Sequence, residues 1–443
     1  MSMKKHAEIV AVLVAAACVV AWRAPALAAE RVVTLDEASS RAIATHERIR
    51  AAQAAQERAE VAPWRAISAM APSVKDRVGY TREKEEISFP SDIAAALPGF
   101  NPVVVAQDEV RNVLAIGQPL YVHQFWALRE IGKAEVKQSD EVYRAARQDV
   151  LLSVAAAYYE LLRAQALEEV ARQTLGQSDV EIEHASERVR AGEAVQSDVL
   201  RAQTEKARAQ QRLAETLGQV EIAHDQLRRL AALEGDFTVT EPALLPMKID
   251  AVDGFLESAH ERNPDLKIRE ASVAAAVGEE HRREAQLYPS LGVDFAYQNI
   301  NHDTFADRND FWSLVVRAQI PIFESGGSHW LDVSEQRAVV SQKEAETSGF
   351  SRDLDVDVKR AWITVRTLEA KRTAADEALR LAGESYRMLS EQYTAGVATN
   401  LDVLTALTSL ALARADDASI RYASGFARIQ LARVAGTLDE VTP

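Results

Sequence analysis

The stretch Ala395–Leu404 reads AGVATNLDVL, and Ala191–Leu200 reads AGEAVQSDVL. Gly396 follows Gly192 by 204 residues (396 − 192). The same offset carries Val154, Ala157, Tyr158, Asp198, Val199, Leu200, Gln226 and Leu227 onto Val358, Ala361, Trp362, Asp402, Val403, Leu404, Gln430 and Leu431. Duplication on this scale limits the fold before any local reading, because each copy is expected to be one supersecondary unit stacked on the other.

The residues around each glycine say what that unit is. Upstream of Gly396, apolar or small residues recur at Leu354, Val358, Ala361, Val365, Leu368, Ala375, Leu379, Ala382, Tyr386, Leu389 and Tyr393, in steps of four and three with Arg372 in the gap. Upstream of Gly192 the register gives Val150, Val154, Ala157, Leu161, Ala164, Ala171, Leu175, Ser178, Ile182, Ala185 and Val189, with Glu168 where Arg372 stands. A sustained 3.5-residue period means helices that pack along their whole length and supercoil. Downstream of Gly396 a further seam runs Val403, Ala406, Leu410, Ala413, Ile420, Ala427, Leu431, Val434 and Leu438. Each copy therefore reads as a long helical hairpin turning at a glycine. An arm from Gln124 to Arg190 would measure about 100 Å at 1.5 Å per residue, too long for a compact domain. Glu168 and Arg372 break matching seams with opposite charges, which leaves open a direct pair or solvation inside a tube.

Of 443 residues, 51 are basic and 66 acidic, a net charge of −15 that argues against a nucleic-acid partner. Lys4 and Lys5 precede the apolar run Ile9–Trp22, and Ala26-Leu27-Ala28 offers small residues for a signal peptidase. The run is short for a spanning helix, so residues 1–28 read as a cleaved secretory signal, with Ala29 first in the mature chain. Cys18, the one cysteine, lies inside it. Its alternative is a lipoprotein site at Ala15-Ala16-Ala17-Cys18, which lacks the usual leucine-like residue three places before the cysteine. No apolar run after residue 30 reaches the ~18 residues of a spanning helix, so any membrane crossing falls to strands.

In order, Leu35, Ala38, Ala42, Ile49, Ala52 and Ala59 predict one helix from Val33 to near Pro63. Val74, Asp76, Val78 and Tyr80 alternate with Lys75, Arg77 and Gly79 as a strand, Thr81–Val105 reads as a loop, and a second strand spans Val110–Tyr121. Residues 234–256, with Gly235, Pro242 and Pro246, read as an irregular join outside the coil. In the second copy Phe255, Ala259, Asn263-Pro264, Leu266, Ala271 and Ala274 mark the helix. Leu291, Val293, Phe295 and Tyr297, then Trp312, Leu314, Val316, Ala318 and Ile320, alternate with mainly polar or small neighbours. An apolar face opposed to a polar one is the pattern of a membrane barrel strand; the alternative is a hairpin on a soluble core. Pro72 matches Pro289 at 217 residues and Pro119 matches Pro321 at 202, so the first hairpin loop is 15 residues longer (217 − 202). The expected domains are 29–246, with a β-hairpin at 73–121 and helices at 124–233, and 247–443, with a β-hairpin at 290–323 and helices at 327–438.

These residues resemble the TolC-like outer-membrane efflux family. Tyr288-Pro289-Ser290-Leu291 looks like its strand entry, Pro321-Ile322-Phe323-Glu324-Ser325-Gly326-Gly327 like its strand exit, and Tyr393-Thr394-Ala395-Gly396 with Thr399-Asn400-Leu401-Asp402-Val403-Leu404 like its periplasmic tip. The resemblance implies a mixed, mainly α fold. Long antiparallel coiled-coil helices would form a periplasmic α-barrel, and four strands per chain would join a twelve-stranded outer-membrane barrel in a homotrimer. It further implies a passive conduit that works with a periplasmic adaptor and an inner-membrane pump, contacts outer-membrane lipid and carries no cofactor or metal. Gly192, Glu193, Ala194 and Val195 with Gly396, Val397, Ala398 and Thr399 would form the adaptor-docking tip. Asp198, Tyr393, Asp402 and Thr405 would sit at the constriction. Ala398 stands where the family often has an arginine, and Thr405 where some members have a second aspartate. Thr399-x-x-Asp402 reads equally as a helix capping box.

Three function classes remain to weigh. A duct explains two matched hairpins rooted in alternating strands; a periplasmic adaptor or coiled-coil scaffold usually has one hairpin. An enzyme finds no phosphate loop, no paired-histidine helix and no mature cysteine, with nine scattered histidines. Small molecules are the expected cargo, with type I protein secretion or metal efflux as alternatives.

Overall fold

The helix expected from Val33 to Pro63 is broken twice. After strand β1 (Arg31–Val33), α1 (Leu35–Thr45) begins where the Thr34 side chain accepts from the Glu37 N–H, and it stops at His46, whose backbone is extended. His46 Nδ1 then caps α2 (Glu47–Glu60). Pro63 opens α3 (Ala62–Ser68) instead of ending a helix, since a first turn leaves its N–H groups unpaired anyway. Leu35, Ala38, Ala42, Ile49 and Ala52 are buried along the expected side.

The computed structural model describes residues 31–96, 101–243, 247, 251–303, 308–323 and 325–441. The expected signal segment, its expected cleavage site and Cys18 lie outside them. Strand β2 (Ser73–Arg82) leads into a connection that is more than a loop: it holds β3 (Ile87–Ser88), helix α4 (Ser91–Ala96) and β4 (Val103–Val105), with β3 and β4 antiparallel. Strand β5 (Asp108–Tyr121) returns to α5 (Gln124–Arg190), which turns into α6 (Gln196–Leu230). Then come β6 (Phe237–Val239), α7 (Asp253–Arg262), α8 (Pro264–Glu284), β7 (Ser290–Ile300), β8 (Asp310–Gln319), α9 (Ser328–Thr394), α10 (Asn400–Val434) and α11 (Leu438–Val441).

The long helices keep the offset of the sequence repeat. α5 and α9 have 67 residues each, and α6 and α10 have 35 each. Seam residues Val150, Val154, Ala157, Leu161, Ala164, Ala171, Ser178 and Ala185 are buried, as are Leu354, Val358, Val365, Ala375 and Tyr393. α5 is the hub, packing against α6, α10 and α8 as well as α1, α2 and α3. Where α10 meets α8, the Asn263 amide donates to the Val434 carbonyl at 2.9 Å while its oxygen caps α8. The Arg433 guanidinium beside it pairs with Asp149 at 2.8 Å and Asp265 at 2.9 Å. Two charge partners offset the cost of burying that cation.

Residues 234–256 are not wholly irregular. β6 pairs in parallel with β1, Phe237 is buried, and His224 stacks on its ring at 4.0 Å. Tyr158, fully buried, donates toward the Thr240 carbonyl at 2.7 Å and the Val33 carbonyl at 3.0 Å, tying α5 to this two-stranded sheet. Glu168 pairs with neither solvent alone nor Arg372: Arg172, one turn on, lies 2.6 Å away.

The remaining sheet runs β2-β5-β7-β8, all antiparallel. Its register lines up Val74, Ile116, Phe295 and Leu314 on one face and Arg77, Val113, Gln298 and Phe311 on the other. β2 and β8 each keep one edge unpaired, and such edges invite another strand. No described helix is long and apolar enough to cross a membrane, which says nothing of the strands.

Candidate functional site

The two tips are built the same way. α5 and α9 end at Gly192 and Gly396, whose φ angles of +79° and +78° place them in the left-handed region that favours glycine. Beyond each, the chain returns two hydrogen bonds to the last turn. Gly192 and Glu193 N–H reach the Val189 and Arg188 carbonyls at 3.1 and 2.9 Å; Gly396 and Val397 N–H reach those of Tyr393 and Gln392 at 3.0 and 2.8 Å. These pairs are Schellman ends, which satisfy otherwise unpaired carbonyls and reverse the chain within a few residues. Glu193, Val195, Val397 and Thr399 are left exposed at the apex, with Ala194 and Ala398 half-buried.

The return helices start differently. Thr399 and Asp402 form a complete capping box: the Thr399 hydroxyl accepts from the Asp402 N–H, and the Asp402 carboxylate accepts from the Thr399 N–H at 3.0 Å. Hydrogen bonds from the Thr399 hydroxyl and N–H hold the Asp402 carboxyl below its ordinary range. In the first copy Val195 replaces Thr399 and offers no side-chain cap, and Asp198 lies 3.3 Å from Arg201 instead. Asp402 and Thr405 are both exposed on one helix, where the Thr405 hydroxyl donates to the Leu401 carbonyl at 2.7 Å.

Tyr393 is 2% exposed. Arg188, from the other hairpin, lays its guanidinium 4.7 Å from the Tyr393 ring centre and donates to the Tyr393 carbonyl at 2.7 Å. The Asn400 amide meets the phenol oxygen at 3.4 Å. Arg188 was not among the sequence candidates, although it left a trace: at the 204 offset it falls on Gln392, so a charge breaks the repeat beside the tip glycine.

Higher up the coil a second tie joins the copies. Tyr386 of α9 donates to Glu181 of α5 at 3.0 Å, and Glu181 is 1% exposed. Burial, with the Glu181 carboxylate beside it, pushes the Tyr386 phenol far above its ordinary range. His184 Nδ1 lies 3.8 Å from the other Glu181 oxygen, and Arg414 of α10 donates to Gln177 at 3.2 Å. Among the described residues no cluster of metal-ligating side chains occurs. The geometry is that of two exposed turns joined from behind by Arg188 and Tyr393.

A family model described as "Outer membrane efflux protein" matches residues 38–233 and 255–437. Outer membrane protein TolC of Vibrio cholerae is 23% identical over 388 residues, covering 84% of this chain and 84% of that protein. Alkaline protease secretion protein AprF of Pseudomonas aeruginosa is 24% identical over 350 residues, covering 75% and 71%. Among solved structures, CusC superposes with a TM-score of 0.78 at 17% identity, covering 91% of this chain and 92% of its own.

Proposed function

Because the chain belongs to the outer membrane efflux protein family, an outer-membrane exit duct whose helices extend into the periplasm, we propose that it exports small molecules delivered by an inner-membrane pump. Three copies would close their four-stranded sheets, β2 edge to β8 edge, into one twelve-stranded barrel, with the apolar faces toward lipid and the polar faces toward water. The observation that carries this reading is the joining, in one chain, of an open-edged sheet with one apolar face to two coil hairpins of equal length.

In this reading the exposed turns Gly192–Val195 and Gly396–Thr399 dock a periplasmic adaptor. Asp198, Tyr393, Asp402 and Thr405 surround the constriction, and a ring of Asp402 carboxylates favours cations there. Asp402 serves its helix start and the passage together. The Arg188–Tyr393 tie holds the tips of one chain closed. Protein secretion is the second reading, favoured by the likeness to AprF.

The test is photo-crosslinking in intact cells from probes at Val397 and Glu193, with identification of what is trapped. An adaptor is expected at both, and the pump class it serves separates small-molecule export from protein secretion. Repeated probes that trap no partner would remove the docking role and favour a scaffold.

A further inference from the structure

The polar wall of the sheet carries two cations, Lys75 and Arg77, that form no ion pair among the described residues. By register Lys75 and Arg77 of β2 share the face of Val113, Ala115, Ala296 and Gln298, opposite the apolar band. Two other cations on that face are paired: Arg111 with Glu109 at 2.6 Å and Arg317 with Asp294 at 3.0 Å. Among the described residues no carboxylate lies within ion-pair distance of Lys75 or Arg77, and both are exposed.

Closing the barrel does not supply a partner. The free edge of β2 would meet β8 of a second copy, whose residues on this face are Phe311, Ser313, Val315, Arg317 and Gln319. None is acidic. A register slip that keeps faces matched moves residues by twos, so every allowed pairing presents the same set. The β3–β4 hairpin also leans over this wall, and Val104, Val105 and Ala106 line a cavity of about 580 Å³ with Arg77, Arg111, Glu83 and Glu109, neither carboxylate forming an ion pair with Arg77. An apolar cover beside Arg77 narrows the water-filled space on which its charge acts.

We propose that Lys75 and Arg77 make the exit end of the duct an anion-favouring segment, selecting for anionic over cationic solutes as they leave. Rings of lysine or arginine on a pore wall act in this sense. The inference deepens the duct reading and rests on it. It also sets the exit against the Asp402 carboxylates proposed at the periplasmic end.

The test is the reversal potential of the full-length trimer in a planar bilayer under a potassium chloride gradient. K75Q/R77Q is expected to raise the potassium-to-chloride permeability ratio by about twofold or more, and K75E/R77E to raise it further. Because the acidic tip could set the ratio by itself, the same pairs are measured with Asp402→Asn in the background. Unchanged ratios in both backgrounds, in channels that conduct like wild type, overturn the proposal. A trimer that conducts neither as wild type nor as R188A strikes the duct reading itself, and this inference falls with it.

Discussion

Replacing Arg188 with alanine removes the tie between the two hairpin ends of one chain. The lost contacts are the hydrogen bond to the Tyr393 carbonyl at 2.7 Å, the guanidinium over its ring at 4.7 Å and an approach to Glu193 at 3.6 Å. The side chain is 19% exposed, so water screens the first two only in part. A hydrogen bond from a charged donor contributes about 1.5–3 kcal/mol and a cation–π contact about 0.5–2 kcal/mol, while the exposed Glu193 pair adds about 0–1 kcal/mol. Discounting for partial exposure, a tie of about 2 kcal/mol shifts the ratio of joined to parted tips about 30-fold when lost. The assay is single-channel conductance of the reconstituted trimer, together with uptake of a large hydrophilic antibiotic by cells whose only duct is the variant. R188A is expected to open more often and admit the antibiotic. R188K keeps a charge and a donor but loses the planar stack, so it should fall between. If R188A assembles as trimers and its opening frequency equals wild type, the tie does not hold the tip and the reasoning is refuted.

Three further outcomes are expected. Gly436→Ala should lower the heat resistance of the trimer far more than Gly192→Ala: both glycines have positive φ, but a Cβ at Gly436 would sit 2.6 Å from the Arg262 backbone, whereas at Gly192 it meets nothing. The shared backbone strain is about 1–2 kcal/mol, and overpacking adds about 1–3 kcal/mol at Gly436 alone. Tyr386→Phe removes the donor to buried Glu181 at a cost of about 1–3 kcal/mol. A double cycle with Glu181→Gln, read as trimer heat resistance, should show coupling, and additive effects would deny the tie. Asp402→Asn should weaken the trimer near neutral pH. Because folding lowers the Asp402 pKa from 3.8, its contribution is present above that value and fades as pH falls through the folded pKa, so wild type and variant should converge in acid.

Coil positions were legible because a 3.5-residue period survives over many turns; the bounds of α5 coincide with the arm read from Gln124 to Arg190. The strands Ser290–Ile300 and Asp310–Gln319 were legible for a like reason, since a two-residue period with one apolar face has few other solutions. What escaped depends on distant partners. β1 and β6 are three residues each and pair across about 200 positions, too short to carry a period. The break at His46 comes from one extended residue inside an unbroken apolar pattern. At the tip the glycines and the Thr399–Asp402 box lay in the local wording, while the Arg188–Tyr393 contact depends on how one hairpin leans on the other.

Equal arms act as a ruler. α5 and α9 match residue for residue in length, as do α6 and α10, while the connections beyond the strands differ, from 25 residues at 83–107 (107 − 83 + 1) to nine at 301–309 (309 − 301 + 1). Both tips hang from one sheet, so only matched arms bring Gly192 and Gly396 to a common depth. Adding one heptad to α5 alone would displace its tip by about 10 Å, nearly two helical turns out of step with its twin. The depth at which the chain ends is therefore a quantity that four helices hold in common, and it can change only if all four change together. The outward connections answer to no such measure, and there the copies are free to diverge.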